Sequence, residues 1–216
     1  EVMAYLAVHP ERKELILGMT GSKTNELLFK YDTKIIFTPA PYPAPEGCQV
    51  HEGFEEVYKA MRQPIREAIQ RELEGQCRGW KVVVTGQSLG GATMIYAMVD
   101  LATHIPATLL PRHLLIGYGY GTPRVGNRKY AAWVNALHLR IYRITDPQDL
   151  IARGLSRKIS YASPHREVLT SDNSKSATAV YCDSSSVFGE DRRCSISRPR
   201  PSWKIMPHHN VYFGVF

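Results

Sequence analysis

The sequence predicts an α/β layered fold built on a mostly parallel central sheet. Three observations carry this. Hydrophobic period alternates along the chain between strand-like and helix-like runs. The run Trp80-Lys-Val-Val-Val-Thr85 is short, apolar and β-branched in its middle, as a buried parallel strand is. The chain has 216 residues, 44% hydrophobic and 22% charged, which is enough to bury a core without metal or disulfide staples. With no internal repeat and no clean linker, residues 1–216 read as a single domain.

In chain order, Tyr5-Leu-Ala-Val8 and Glu14-Leu-Ile-Leu-Gly-Met19 read as two strands joined by a turn over His9 to Lys13. Lys34-Ile-Ile-Phe-Thr38 is a third, ended by a proline-rich stretch from Pro39 to Pro45. From Phe54 to Glu74, apolar residues recur every four positions at Val57, Met61, Ile65, Ile69 and Leu73, the face of an amphipathic helix. The strand Trp80–Thr85 follows, then a helix over Gly90 to Thr103 whose small leading residues allow close packing. Leu114-Leu-Ile-Gly-Tyr118 and Leu139-Arg-Ile-Tyr-Arg-Ile144 give two more strands, with a helix near Arg128 to Ala136 between them. From Ser171 the composition turns polar and irregular until Val211-Tyr-Phe-Gly-Val-Phe216.

The formal charge of +7 favours anionic partners, phospholipid surfaces and nucleic acid among them. Basic residues are nevertheless spread along most of the chain. Arg192, Arg193, Arg198, Arg200 and Lys204 cluster among Ser and Pro, and this stretch reads as a solvated loop, so no nucleic-acid partner is expected. No apolar run reaches 18 residues, so no transmembrane segment is expected. The start, Glu1 to Val8, lacks the basic region and cleavage site of a signal peptide. Of the four cysteines, Cys182 and Cys194 bracket a polar loop, a natural place for a disulfide in an oxidising compartment. Cys48 and Cys77 flank the long helix, about 30 Å of it, far beyond the ~7 Å that a disulfide spans. A bridge between them within the chain is not expected; each is free or bonds another chain.

Gly86-Gln-Ser-Leu-Gly90 matches G-x-S-x-G. Chance gives the pattern in about one chain of this length in ten to fifteen, so its setting decides. A buried-type strand runs in and a helix runs out, which is the context of a nucleophile elbow. That turn lifts the Ser88 hydroxyl above the sheet at the positive end of the helix and aims the Leu89 amide at an oxyanion position. The alternative is a glycine-rich turn that packs tightly or holds a phosphate. A serine needs a base, and the base an orienting acid, in the order Ser, Asp or Glu, His. The strand Leu139–Ile144 runs into Asp146-Pro-Gln-Asp149, where either aspartate qualifies by position. The histidines after Asp149 are His165, His208 and His209, the last two on a loop near the C-terminus.

These residues resemble the fungal-type class 3 lipases and the related feruloyl esterases. The matching segments are Val50 to Tyr58, Gly86 to Ala92, Tyr120 to Asn127, Arg143 to Ile151 and His209 to Gly214, in the family's order and over nearly the whole chain. The resemblance implies an α/β-hydrolase fold and hydrolysis of carboxylic esters through an acyl-enzyme, with no metal and no organic cofactor. It selects Asp149, six residues after Arg143, as the acid, and His209, three before Tyr212, as the base of Ser88. It places Ser22, closing Met19-Thr-Gly-Ser22, in the oxyanion hole beside Leu89, and a mobile lid over Lys23 to Tyr31. It also supports the Cys182–Cys194 bridge, a secreted protein, and a packing role for His51.

The departures are Gln87 where a His is usual, Met19-Thr20 where Phe-Arg braces the oxyanion segment, and Ala152 where a proline often follows the acid. Family members also carry several dozen residues before the first strand, including a helix that packs on the sheet. This chain is expected to lack that helix, and a missing N-terminal segment or a second chain is a candidate partner. The substrate implied first is a triacylglycerol at a lipid–water interface. A feruloyl or other soluble ester comes second, and binding without turnover third.

Overall fold

The computed structural model describes residues 3–22, 36–154, 160–164, 166–182, 191, 193–198 and 206–215. The lid segment Lys23–Tyr31, the start of the strand expected at Lys34, and His165 lie outside the described residues.

Among the described residues, seven strands form the main sheet: β1 (Ala4–His9), β2 (Glu14–Met19), β5 (Lys81–Gln87), β6 (Leu115–Tyr120), β8 (Arg140–Thr145), β10 (Glu167–Thr170) and β11 (Ala179–Cys182), in that spatial order. The outermost pairs, β1–β2 and β10–β11, are antiparallel, and every pair between them is parallel. The fold is therefore α/β with a mostly parallel sheet, as the alternating periods predict. A smaller antiparallel sheet joins β3 (Phe37–Pro39), β4 (Gln49–His51), β7 (Gly126–Asn127) and β9 (Tyr161–Ala162) in order.

Two helices cover one face of the main sheet. Helix α1 (Glu52–Glu74) buries Val57, Ile65, Ile69 and Leu73, the stripe that the four-residue spacing predicts. It starts two residues earlier than expected because His51 Nδ1 accepts the Phe54 amide as an N-cap, and the two rings stack 3.8 Å apart. Pro64 sits inside α1 on its exposed side, and the helix runs on past it because the flanking apolar turns are anchored in the core. Helix α2 (Leu89–His104) is buried from Leu89 through Leu101 and packs on β5 and β6. Between α1 and α2, the buried Asp100 carboxylate accepts from Tyr58 Oη at 2.9 Å and from both Nε and a terminal nitrogen of Arg66. Three further helices are shorter: α3 (Arg128–Ala136), α4 (Leu150–Gly154) and α5 (Met206–Asn210).

Strand β5 departs from the expectation of burial on both faces. Val82, Val84 and Gly86 are buried beneath α2, whereas Val83, Thr85 and Gln87 on the other face are half-buried. Tyr118 and Tyr142 stack on that second face at 5.5 Å. The region from Ser171, read as irregular, contains β11. This strand has only four residues, three of them exposed, so it has no period to read; β10 and a disulfide hold it in place. That disulfide joins Cys182 to Cys194, as expected, while Cys48 and Cys77 are free and buried, and burial pushes both thiols up. Within the basic stretch, Arg193 forks onto Asp191 at 3.0 Å on the surface.

The bridge closes a loop of 12 residues beside the strand pair that flanks β8. Replacing both Cys182 and Cys194 by Ala should lower the unfolding free energy by about 3 kcal/mol, read from urea denaturation at fixed pH. A midpoint equal to the parent's would show that the edge strand holds without its staple.

Candidate active site

Ser88 and Leu89 follow the C-terminal end of β5, and Asp146 and Asp149 follow that of β8. Ser88 joins β5 to α2 with φ +58° and ψ −124°, a conformation that costs a non-glycine residue on the order of 1–3 kcal/mol. Close packing around it supplies the compensation. A Cβ on Gly86 would stand 2.2 Å from the Gly90 carbonyl oxygen, and one on Gly90 would stand 2.3 Å from that of Met19. Glycine at both positions lets the turn fold over itself and lets the end of β2 lie against the start of α2. The Ser88 amide donates to the Tyr120 carbonyl at 2.9 Å, which ties the turn to β6.

The structure brings Ser88, His209 and Asp149 together, all three buried. His209 Nε2 lies 2.7 Å from Ser88 Oγ, and His209 Nδ1 lies 2.9 Å from Asp149 Oδ2. An ionised carboxylate only accepts, so Nδ1 carries the proton and Nε2 is left to accept from the serine hydroxyl. Asp146 is not in this chain of contacts; its Oδ1 faces His208 Nδ1 at 3.3 Å instead. The turn bearing both histidines is the short helix α5 rather than an open loop.

Leu89 opens α2, where an amide has no partner inside the helix and the helix dipole is positive. Ser22 is half-buried, and its Oγ is a buried atom without a hydrogen-bond partner among the described residues. A Cβ on Gly21 would meet Ser88 Cβ at 3.5 Å, so the strand end leading to Ser22 lies against the elbow. Where the family pattern has a bracing arginine, Thr20 ties this segment to the backbone of Met3. Its hydroxyl accepts the Met3 amide at 2.7 Å and donates to the Met3 carbonyl at 3.0 Å.

Four contributors were not assigned from sequence. Tyr212 Oη donates to Asp149 Oδ2 at 2.6 Å and accepts the Asp146 amide at 3.2 Å. Burial, then the Asp149 charge, push the Tyr212 phenol well above its ordinary range, so it stays a donor. Asp149 Oδ1 accepts the amides of Ile151 at 2.8 Å and Ala152 at 3.2 Å; a proline at 152 would have no such N–H. Gln87 Nε2 donates to the His209 carbonyl at 2.8 Å, so the residue replacing the usual histidine holds the backbone of His209. Gly121, at φ +58°, leaves room that a side chain would fill: its Cβ would meet Asp149 Oδ2 at 2.6 Å and His209 Nδ1 at 3.0 Å. The sequence signal for Tyr212 was its place three residues after His209; the other three have none beyond adjacency.

On the far side of the elbow, a cavity of about 560 Å³ is bounded by Tyr5, Met19, Gln87, Tyr120, Tyr212 and Phe213. It touches the residues that support the histidine and aspartate, and does not include Ser88, His209 or Asp149.

Residues 16–158 match the family model for class 3 lipases. A lipase of Rhizomucor miehei is 29% identical over 212 residues, covering 98% of this chain and 55% of its own length. A secreted mono- and diacylglycerol lipase of Fusarium solani is 32% identical over 150 residues, 69% of this chain and 42% of its own. The chain thus spans about half the length of the curated relatives it matches. Among solved structures, a triacylglycerol lipase whose catalytic centre is formed by a serine protease triad superposes with a TM-score of 0.82 at 27% identity, over 98% of this chain and 75% of that one.

Tyr212→Phe removes one donor from a buried carboxylate and should slow labelling of Ser88 by a fluorophosphonate about tenfold. The rate of probe incorporation measures this, and an unchanged rate would assign Tyr212 to packing alone.

Proposed function

This chain belongs to the class 3 lipase family, and we propose that it is a serine hydrolase of carboxylic esters, with acylglycerols as its first substrate class. The observation that carries the reading is the unbroken contact chain from Ser88 Oγ to His209 to Asp149, at 2.7 and 2.9 Å. Ser88 Oγ attacks the ester carbonyl while His209 Nε2 takes its proton. Asp149 holds the Nδ1–H tautomer and stabilises the imidazolium that forms. The negative oxygen of the tetrahedral intermediate sits against the Leu89 amide, joined by the amide and hydroxyl of Ser22. His209 then protonates the departing alcohol, leaving the acyl group on Ser88. A water molecule, deprotonated by the same nitrogen, releases the acid and restores the hydroxyl.

In this reading residues 1–216 act as one domain, supported by an apolar cluster that runs continuously from Leu15 through α1 and α2 to Tyr161 of the smaller sheet. The mono- and diacylglycerol activity in the name of the Fusarium solani relative favours acylglycerols over feruloyl esters. Secretion is part of the same proposal, supported by the Cys182–Cys194 bridge and by the relatives named as secreted. The net charge of +7 suits an anionic lipid–water interface.

Hydrolysis of p-nitrophenyl esters from two to sixteen carbons, parent against Ser88→Ala, tests the reading. The parent should turn them over and the variant should lose about four orders of magnitude in kcat or more. A preference for long chains supports a lipase, and a preference for short ones a soluble-ester esterase. Full activity in Ser88→Ala would overturn the mechanism.

Asp149→Asn should cost about 10⁴-fold in kcat, because a neutral amide no longer fixes the histidine tautomer. Steady-state kinetics on p-nitrophenyl butyrate read this directly. A loss below tenfold would remove Asp149 from the triad.

A further inference from the structure

The turn between β8 and α4 carries two fully buried aspartates, Asp146 and Asp149, and α5 carries two adjacent histidines. The mechanism uses one aspartate and one histidine and leaves the other two facing each other. Asp146 Oδ1 accepts the Gln148 amide at 2.6 Å and lies 3.3 Å from His208 Nδ1; Oδ2 has no partner among the described residues. His208 is about one-third exposed, while its Nδ1 is buried and has no hydrogen-bond partner among the described residues, so its contact with Asp146 is one of charge at 3.3 Å. The backbone of Asp146 is already part of the site, since its amide donates to the Tyr212 hydroxyl that in turn donates to Asp149.

The groups that face Asp146 are His208 from α5, Asp149 from its own turn, and the Tyr212 phenol from the C-terminal turn. Two buried carboxylates three residues apart repel, and a buried charge with one amide for a partner is costly. A single proton held between Asp146 and His208 removes both penalties. On His208 it makes an ion pair, and on Asp146 it leaves two uncharged groups 3.3 Å apart; either form is neutral overall. Burial pushes the Asp146 carboxyl up, and the Gln148 amide and then His208 offset only part of that rise.

We propose that Asp146 and His208 are positioning residues for His209. Sharing one proton, they cancel the charge of the second carboxylate and fasten α5 to the β8–α4 turn, so that Asp149 alone sets the basicity of His209. This rests on the serine-hydrolase reading above. Two parallel Asp–His contacts, three residues apart on one side and adjacent on the other, fix a five-residue helix.

The test is the pH dependence of kcat/KM on p-nitrophenyl butyrate for the parent, His208→Gln, Asp146→Asn and the double variant. His208→Gln leaves the Asp146 charge uncompensated, which holds the proton on His209 and should move the acid limb up by about one pH unit. Asp146→Asn removes the second carboxylate together with the anion that favours a proton on His208, so the pair stays neutral and the limb should stay in place. The double variant should return it to the parent's position, a reversal that a purely structural role does not produce. A limb that stays in place in both single variants, or moves the same way in both, overturns the proposal. Should His208→Gln not fold, His208→Asn takes its place, with the same upward shift expected. Carboxyl ¹³C NMR gives a readout that needs no turnover: Asp146 should protonate at higher pH in His208→Gln than in the parent, and identical titrations would overturn the pairing. If the parent hydrolyses no ester, the hydrolase reading fails, and the carboxyl titration alone decides the pairing.

Discussion

The Asp149 carboxylate accepts four hydrogen bonds, from the Ile151 and Ala152 amides, the Tyr212 hydroxyl and the His209 ring, with no exposure to solvent. A carboxylate taken this far from water is tolerable only when its acceptor sites are filled, and leaving one empty costs about 1–3 kcal/mol or more. That requirement draws three segments together. Helix α4 must begin directly after the aspartate, α5 must present His209, and the C-terminal turn must place Tyr212. The close passage at Gly121 belongs to the same constraint, because any side chain there would enter the space between the aspartate and the histidine.

Ser88 is held by a different kind of constraint. The strain at Ser88 amounts to a few kcal/mol at most. The residues that lock the turn, Val82, Val84, Leu89, Ala92 and Met94, are all fully buried, and burying a side chain such as Val or Leu contributes roughly 1.5–3 kcal/mol. Packing therefore outweighs the strain, and the strained geometry survives because the surrounding sheet and helix over-determine it. The same close packing sets the end of β2 against the elbow, so the nucleophile and the Thr20–Ser22 segment are positioned by one contact surface.

The departures from the family pattern are replaced by other contacts, each serving the position it alters. Thr20 braces its segment through the Met3 backbone rather than through an arginine. Gln87 reaches the His209 carbonyl. Ala152 retains an N–H that the common proline lacks and gives it to Asp149. Arg143, whose spacing identified the acid, serves the strand: it is buried, pairs with Glu167 and donates to the Pro164 carbonyl. Its value as a marker came from the family's spacing to the aspartate, not from contact with the site.

By itself the sequence determined the layered fold, the elbow at Ser88 and the stripe of α1, because these rest on local periods and fixed spacings. Residue order left Asp146 and Asp149 equivalent, and only the family's spacing separated them before their side chains were placed. Tertiary structure alone decided the rest. The smaller sheet and β11 are two to four residues per strand, too short to carry a period, and exist through pairing with distant chain. The roles of Gln87, Gly121, Ala152 and Tyr212 depend on contacts across as many as 122 positions. The pairing of His208 with Asp146 is of the same kind: two ordinary residues that become a unit only because burial brings a carboxylate and an imidazole together away from water.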